Sequence, residues 1–206
     1  IKIGNNKNAG NTFGKIGTIF IRSLISIWGI IVFWTPRFMQ IRIGDNHLIG
    51  KEFWASEQIV SLIFLSYLFY GGYIVLMPSI YLLEKQNWAP IFRGSGAIIN
   101  ISLNLLFIKY WGMLGAALAT LVAYLGMFII IYYKSNQWLK IACNWRSIGL
   151  HLIITATFIL FFEMTAKSLF ISIGFTFIYL GLLLFFQGKT KLLSDLNYLK
   201  SSFSDG

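Results

Sequence analysis

Acidic side chains are scarce in this 206-residue sequence, where Asp and Glu together total seven. They do not cluster into a metal site. Charged residues of both signs make up 12%, against about 25% in a soluble domain. So little charge cannot coat a water-soluble body, and the same numbers exclude intrinsic disorder. Cysteine occurs once, at Cys143, which rules out a disulfide within the chain and a thiolate metal cluster. The only histidines, His47 and His151, lie far apart in sequence and fit no ligand spacing. The sequence has no glycine loop before a Lys-Ser/Thr pair to cradle phosphate, no His-Glu-x-x-His and no Gly-x-Ser-x-Gly. The longest loop between apolar runs, Pro36 to Ser56, leaves no room for a soluble catalytic domain. No enzymatic activity, metal or cofactor is therefore expected.

What the sequence has is apolar length. Hydrophobic residues reach 57% and mean hydropathy is +0.70. A helix needs about 20 mainly apolar residues to cross the hydrocarbon core. Six stretches qualify, at 16–34, 59–83, 91–108, 113–133, 148–162 and 169–186. None alternates with period 2, which argues against a β-barrel, and helices satisfy their own backbone groups in lipid. The expected fold is all-α, a polytopic bundle of about six spans in one transmembrane domain. The first span is expected to end at Thr35-Pro36-Arg37. The last two, joined by Glu163 to Ser168, are expected to form a tight hairpin. The sequence opens on Ile1 with a polar, Gly/Asn-rich stretch and no secretory signal, and reads as part of a longer protein.

The formal net charge of +10 raises the question of nucleic acid. The basic residues sit between apolar runs, which points to a membrane surface instead. On the N-terminal side lie Lys2, Lys7, Lys15, Lys85, Arg93, Lys134, Lys140, Arg146, Lys189, Lys191 and Lys200, eleven in all. Five lie on the other side, Arg37, Arg42, Lys51, Lys109 and Lys167. The positive-inside rule puts the richer side, and with it both termini, in the cytoplasm. Trp28, Trp34, Trp54, Trp88, Trp111 and Trp138 fall near span ends, as an interfacial belt would.

Polar groups inside spans carry the functional signal. Arg93, Asn100 and Asn104 fall at i, i+7 and i+11 and share one helical stripe. The asparagines either bond to a neighbouring helix or line a cavity. Arg93 either snorkels to the headgroups or binds an anion at a cavity mouth. Arg22 stands six residues into the first span, where an unpaired guanidinium is costly in lipid. It is expected to face protein, water or an acidic group, or a cavity where it attracts a phosphate or pyrophosphate. Gly115, Ala119 and Ala123, preceded by Gly112, give a small-xxx-small spacing that lets backbones approach. Gly71, Gly72 and Pro78 are hinge candidates. His151 reads as a hydrogen-bonded structural residue, and Glu163 with Lys167 as an i, i+4 pair.

The stretch from Trp88 to Tyr133 includes Asn100-Ile-Ser-Leu-Asn104 and then Gly112-Met-Leu-Gly-Ala-Ala-Leu-Ala-Thr120. It resembles lipid-linked polysaccharide flippases of the Wzx type, in the superfamily that also holds MATE exporters and lipid II flippases. Phe69-Tyr70-Gly71-Gly72 and Gly50-Lys51-Glu52-Phe53 add to the likeness. Where many relatives carry a proline in the turn, this chain has Lys109-Tyr110-Trp111. The resemblance implies a two-lobe transporter in the bacterial inner membrane, with this chain as the C-terminal lobe and an N-terminal lobe beyond it. The implied cargo is an undecaprenyl-diphosphate-linked oligosaccharide for surface polysaccharide such as O-antigen. In that reading Arg22 and Arg93 hold the pyrophosphate, and Asn100 and Asn104 meet sugar or the opposite lobe. Membrane lipids are the other partners, and nucleic acid is not one. A MATE-like drug exporter would favour acidic cavity groups, which these spans lack. A glycan polymerase or ligase subunit would call for a larger outer loop.

Overall fold

The computed structural model describes residues 6–43, 45–165 and 168–187. The fold is all-α. Its helices are α1 (Asn6–Met39), α2 (Glu57–Leu76), α3 (Pro78–Tyr81), α4 (Ala89–Trp138), α5 (Trp145–Glu163) and α6 (Leu169–Gln187). A two-stranded antiparallel ribbon in the loop after α1 pairs Arg42 with His47 and Ile43 with Asn46.

Four helical stretches are long and apolar enough to cross a membrane: Ala9–Met39, Lys51–Tyr81, Gln86–Trp138 and Trp145–Glu163. A shorter apolar helix covers Leu169–Phe185. By this measure the chain is a membrane-spanning helical protein. Runs rich in Ile, Leu and Phe become helices because the backbone must bond to itself where water is absent. Several hydroxyls inside them follow the same rule by bonding one turn back. Thr35 donates to the Ile31 carbonyl at 2.7 Å, Ser66 to Leu62 at 2.9 Å and Thr176 to Ser172 at 2.8 Å.

Two boundaries differ from the sequence expectation. Helix α1 begins at Asn6, inside the polar stretch, and passes through Pro36 to Met39. Pro36 removes one backbone bond, but only the last turn follows it. That end then tightens through Gln40 N–H to Arg37 O at 3.1 Å. At the other end, an extended segment lies against α1, with the Ala142 amide donating to the Gly10 carbonyl at 3.2 Å. A Cβ at Gly10 or Gly14 would run into the backbone of Lys140 or Ala142. The small residues that make this stretch look like a loop are what lets it pack.

The chain divides into two compact units, residues 1–17 with 55–144 and residues 18–54 with 145–206. In the first, α4 is two helical arms joined at Gly112, the one residue of α4 outside helical dihedrals (φ 53°, ψ −130°). The expected spans 91–108 and 113–133 are these arms. They lie antiparallel in contact. A Cβ on Gly96 would collide with Met127, one on Gly126 would sit 2.9 Å from Ile99, and one on Gly115 would strike the Phe107 carbonyl. At the open end of the hairpin the Trp88 and Trp138 rings meet at 5.4 Å. The Lys134 ammonium stands 4.9 Å over Trp88, and Lys85 stands 5.1 Å over Trp138. Helix α2 packs on α4 and runs through Gly71 and Gly72 without a break. A Cβ on Gly72 would come within 2.8 Å of the Phe128 ring, so this glycine serves close approach. Pro78 opens α3 at its first turn.

The second unit centres on aromatic rings from α1, α5 and α6. Phe33, fully buried, meets Phe162 at 5.1 Å, Tyr179 at 5.5 Å and Phe175 at 5.9 Å. The Trp34 indole donates to the Thr176 hydroxyl at 3.0 Å. The connector residues 166–167 lie outside the described residues, as do Lys2, Lys167, Lys189, Lys191 and Lys200 of the charge count.

Candidate functional site

The first unit gathers polar groups along the α2–α4 contact. On the first arm of α4, Asn104 Nδ2 donates to Asn100 Oδ1 at 2.9 Å. Asn100 Nδ2 in turn donates to Thr120 Oγ1, on the second arm, at 3.3 Å. Thr120 then donates to the Ala116 carbonyl at 3.0 Å. Both ends of the Asn100 carboxamide are thus engaged inside the hairpin. Of the small residues, Gly115, Ala119 and Ala123 are all buried. Gly115 faces the first arm.

Arg93, one turn into α4, is exposed. Its guanidinium lies beside the Tyr73 hydroxyl, with Tyr70 and Tyr81 also near, although the Tyr73 oxygen does not reach hydrogen-bond geometry with it. Tyr67, Tyr70 and Tyr73 follow each other at i, i+3 and i+6 on α2, which keeps them near one face. Tyr70 stacks on Tyr73 with centroids 5.7 Å apart and 21° between planes. Tyr124, from the second arm of α4, meets Tyr70 at 5.0 Å and Tyr67 at 5.8 Å. The sequence reading missed this cluster. It sorted aromatics by nearness to span ends, whereas the three-residue period in α2 was the signal.

Arg22 belongs to the second unit. It is buried, at 9% exposure, and lies near enough to His151 for its charge to act on the imidazole. The Ser26 hydroxyl and His151 Nε2 are 3.0 Å apart, while Ser26 also bonds back to the Arg22 carbonyl at 3.0 Å. On α5 the Thr155 hydroxyl donates to the His151 carbonyl at 2.9 Å and lies 2.8 Å from the Tyr179 hydroxyl of α6. A Cβ on Gly29 would stand 3.0 Å from Tyr179 and 3.1 Å from Thr155, so a glycine there makes room for that pair. These contacts tie α1, α5 and α6 together through buried and part-buried polar groups. Interhelical hydrogen bonds of this kind contribute about 0.6 kcal/mol on average and up to about 1.7 kcal/mol. A double-mutant cycle of Ser26→Ala and His151→Phe, followed by unfolding in micelles, is expected to give a coupling energy in that range. Strict additivity would mean that the 3.0 Å contact contributes nothing.

In the loop after α1, Arg42 and Lys51 stand with Asp45, Glu52 and His47 around a polar cleft of about 550 Å³. The His47 ring meets Trp54 edge-on at 5.0 Å, and the Trp54 indole donates to the Ile49 carbonyl at 3.1 Å. No family model, curated protein or solved structure matches the chain.

Proposed function

We propose that the chain is part of a flippase that carries an undecaprenyl-diphosphate-linked oligosaccharide across the bacterial inner membrane for surface polysaccharide synthesis. The observation that supports this best is the Arg93 face of the first unit, where a guanidinium and phenol hydroxyls run along apolar membrane helices. Such groups are costly against lipid tails. They suit a surface that meets a polar headgroup while the lipid tail stays in the bilayer. The sugar and diphosphate cannot cross hydrocarbon unaided, so a flippase needs such a lining and needs no covalent chemistry. The likeness to Wzx-type flippases makes this chain the C-terminal lobe of a two-lobe transporter, rocking against its N-terminal lobe. The excess of basic residues on one side favours cytoplasmic termini.

Arg93 would meet the diphosphate at the mouth of the first unit, and Arg22, in the second unit, is the other cationic candidate for it. Combined Arg22→Ala and Arg93→Ala substitution in the full-length protein is expected to reduce surface polysaccharide by at least tenfold in a flippase-deficient strain. That corresponds to losing about 1.4 kcal/mol of binding. Undiminished polysaccharide, with normal membrane levels of the variant, would overturn the role of both arginines.

A further inference from the structure

We infer that Tyr67, Tyr70 and Tyr124 form a carbohydrate-stacking subsite, which takes the sugar ring next to a diphosphate held at Arg93. This rests on the transport reading above and names the part of the substrate that the site would recognise. Three observations lead to it.

The first is the choice of tyrosine. The same two helices also make a purely apolar ring contact, Phe69 with Phe128 at 6.3 Å. Phenylalanine would serve equally at positions 67, 70 and 124 if packing were the whole purpose, and would avoid placing phenol oxygens in a membrane span. The chain instead sets tyrosines toward Arg93. The second is exposure. Tyr67 is 50% exposed, and Tyr70 and Tyr124 are half-buried. Tyr73, at 1% exposure, is the floor under them. Ring surface is thus left over after the helices have packed. The third is spacing. From Tyr73, beside Arg93, to Tyr67 the helix rises about 9 Å, room for a sugar next to its diphosphate. Aromatic faces meet the C–H faces of a pyranose, and the phenol edges bond to its hydroxyls. The guanidinium meets the phosphate oxygens. The asparagine chain cannot replace this surface, because Asn100 is committed within the hairpin.

The experiment places the full-length protein in lipid nanodiscs and measures the affinity of three lipids: undecaprenyl-diphosphate oligosaccharide, undecaprenyl diphosphate without sugar, and phosphatidylglycerol. Tyr67→Leu combined with Tyr124→Leu is expected to weaken the glycosylated lipid about tenfold and to leave the sugar-free diphosphate within twofold. Arg93→Ala is expected to weaken both diphosphates. Tyr67→Phe with Tyr124→Phe keeps the rings but removes the phenol edges, and is expected to weaken the glycosylated lipid about threefold, less than the leucine pair. It carries the test if the leucine variant does not fold. Unchanged affinity for the glycosylated lipid in the leucine variant or, where that variant does not fold, in the phenylalanine variant would overturn the stacking subsite and leave the transport reading standing. A wild-type protein that binds the glycosylated lipid no better than phosphatidylglycerol would overturn both.

Discussion

Gly115→Val is expected to open the α4 hairpin and lower stability by about 3 kcal/mol, the upper end of what overpacking costs. The reason is what a side chain would meet. Its Cβ would be driven into the Phe107 carbonyl and would stand 3.0 Å from the Ile108 amide nitrogen. Those are backbone atoms of the facing arm, fixed by their own helical bonds, and they cannot rotate aside as a long side chain does. The arms must separate instead. Separation would pull Thr120 from Asn100, already at 3.3 Å. Gly112→Val acts at the turn itself, where φ is +53°, and costs about 1–3 kcal/mol through backbone strain. Gly94→Ala is the control, since nothing lies within 4 Å of a Cβ there. It is expected to be neutral or to stabilise by up to about 1 kcal/mol through helix propensity. Thermal unfolding in micelles reads all three. A Gly115→Val protein that melts like Gly94→Ala would contradict the close approach of the arms.

Phe33→Ala is expected to have an effect of similar size in the second unit. The ring is fully buried among three others at 5.1–5.9 Å. Removing such a ring from a soluble core costs about 3–5 kcal/mol. Within a bilayer the transfer part of that cost shrinks, because lipid tails are as apolar as the protein interior. What remains is lost packing, so the lower end, about 3 kcal/mol, is expected. Phe33→Leu fills most of the space and should cost less than about 1.5 kcal/mol. Phe177→Ala, at a ring that is 73% exposed, should change the unfolding midpoint little. Equal midpoints for Phe33→Ala and Phe177→Ala would show that the aromatic cluster does not hold α1, α5 and α6 together.

The membrane helices were legible because apolar length is a one-dimensional property. A run such as 113–133 announces a helix whatever it packs against. The turn at Gly112 was legible in part, because glycine tolerates the dihedrals that reverse the chain. The start of α1 was not. Its helix depends on Gly10 and Gly14 fitting against residues 139–143, a contact that no local pattern records. Pro36 misled for the opposite reason, since a helix breaker loses its force one turn before the helix ends. In the candidate site the Arg93–Asn100–Asn104 stripe follows from helical spacing alone. Thr120, the partner that closes the asparagine chain, comes from the facing arm and could not be read from that stripe. The same holds for Ser26 and His151, 125 positions apart in sequence and 3.0 Å apart in space. The tyrosines were hidden by their chemistry, because tyrosine in a membrane sequence is first read as an interfacial residue.

The reversal at Gly112 also bears on sidedness. An arm that leaves one face of a bilayer and returns through a single residue adds nothing to the count of net crossings. Trp88 and Trp138, at the two ends of α4, meet at 5.4 Å, so the chain re-emerges where it entered. Whatever compartment holds Asn87 therefore also holds Lys140. Cysteine labels at those two positions should react with the same impermeant reagent, and the topology of the whole chain then turns on α1, α2 and the helices after residue 144.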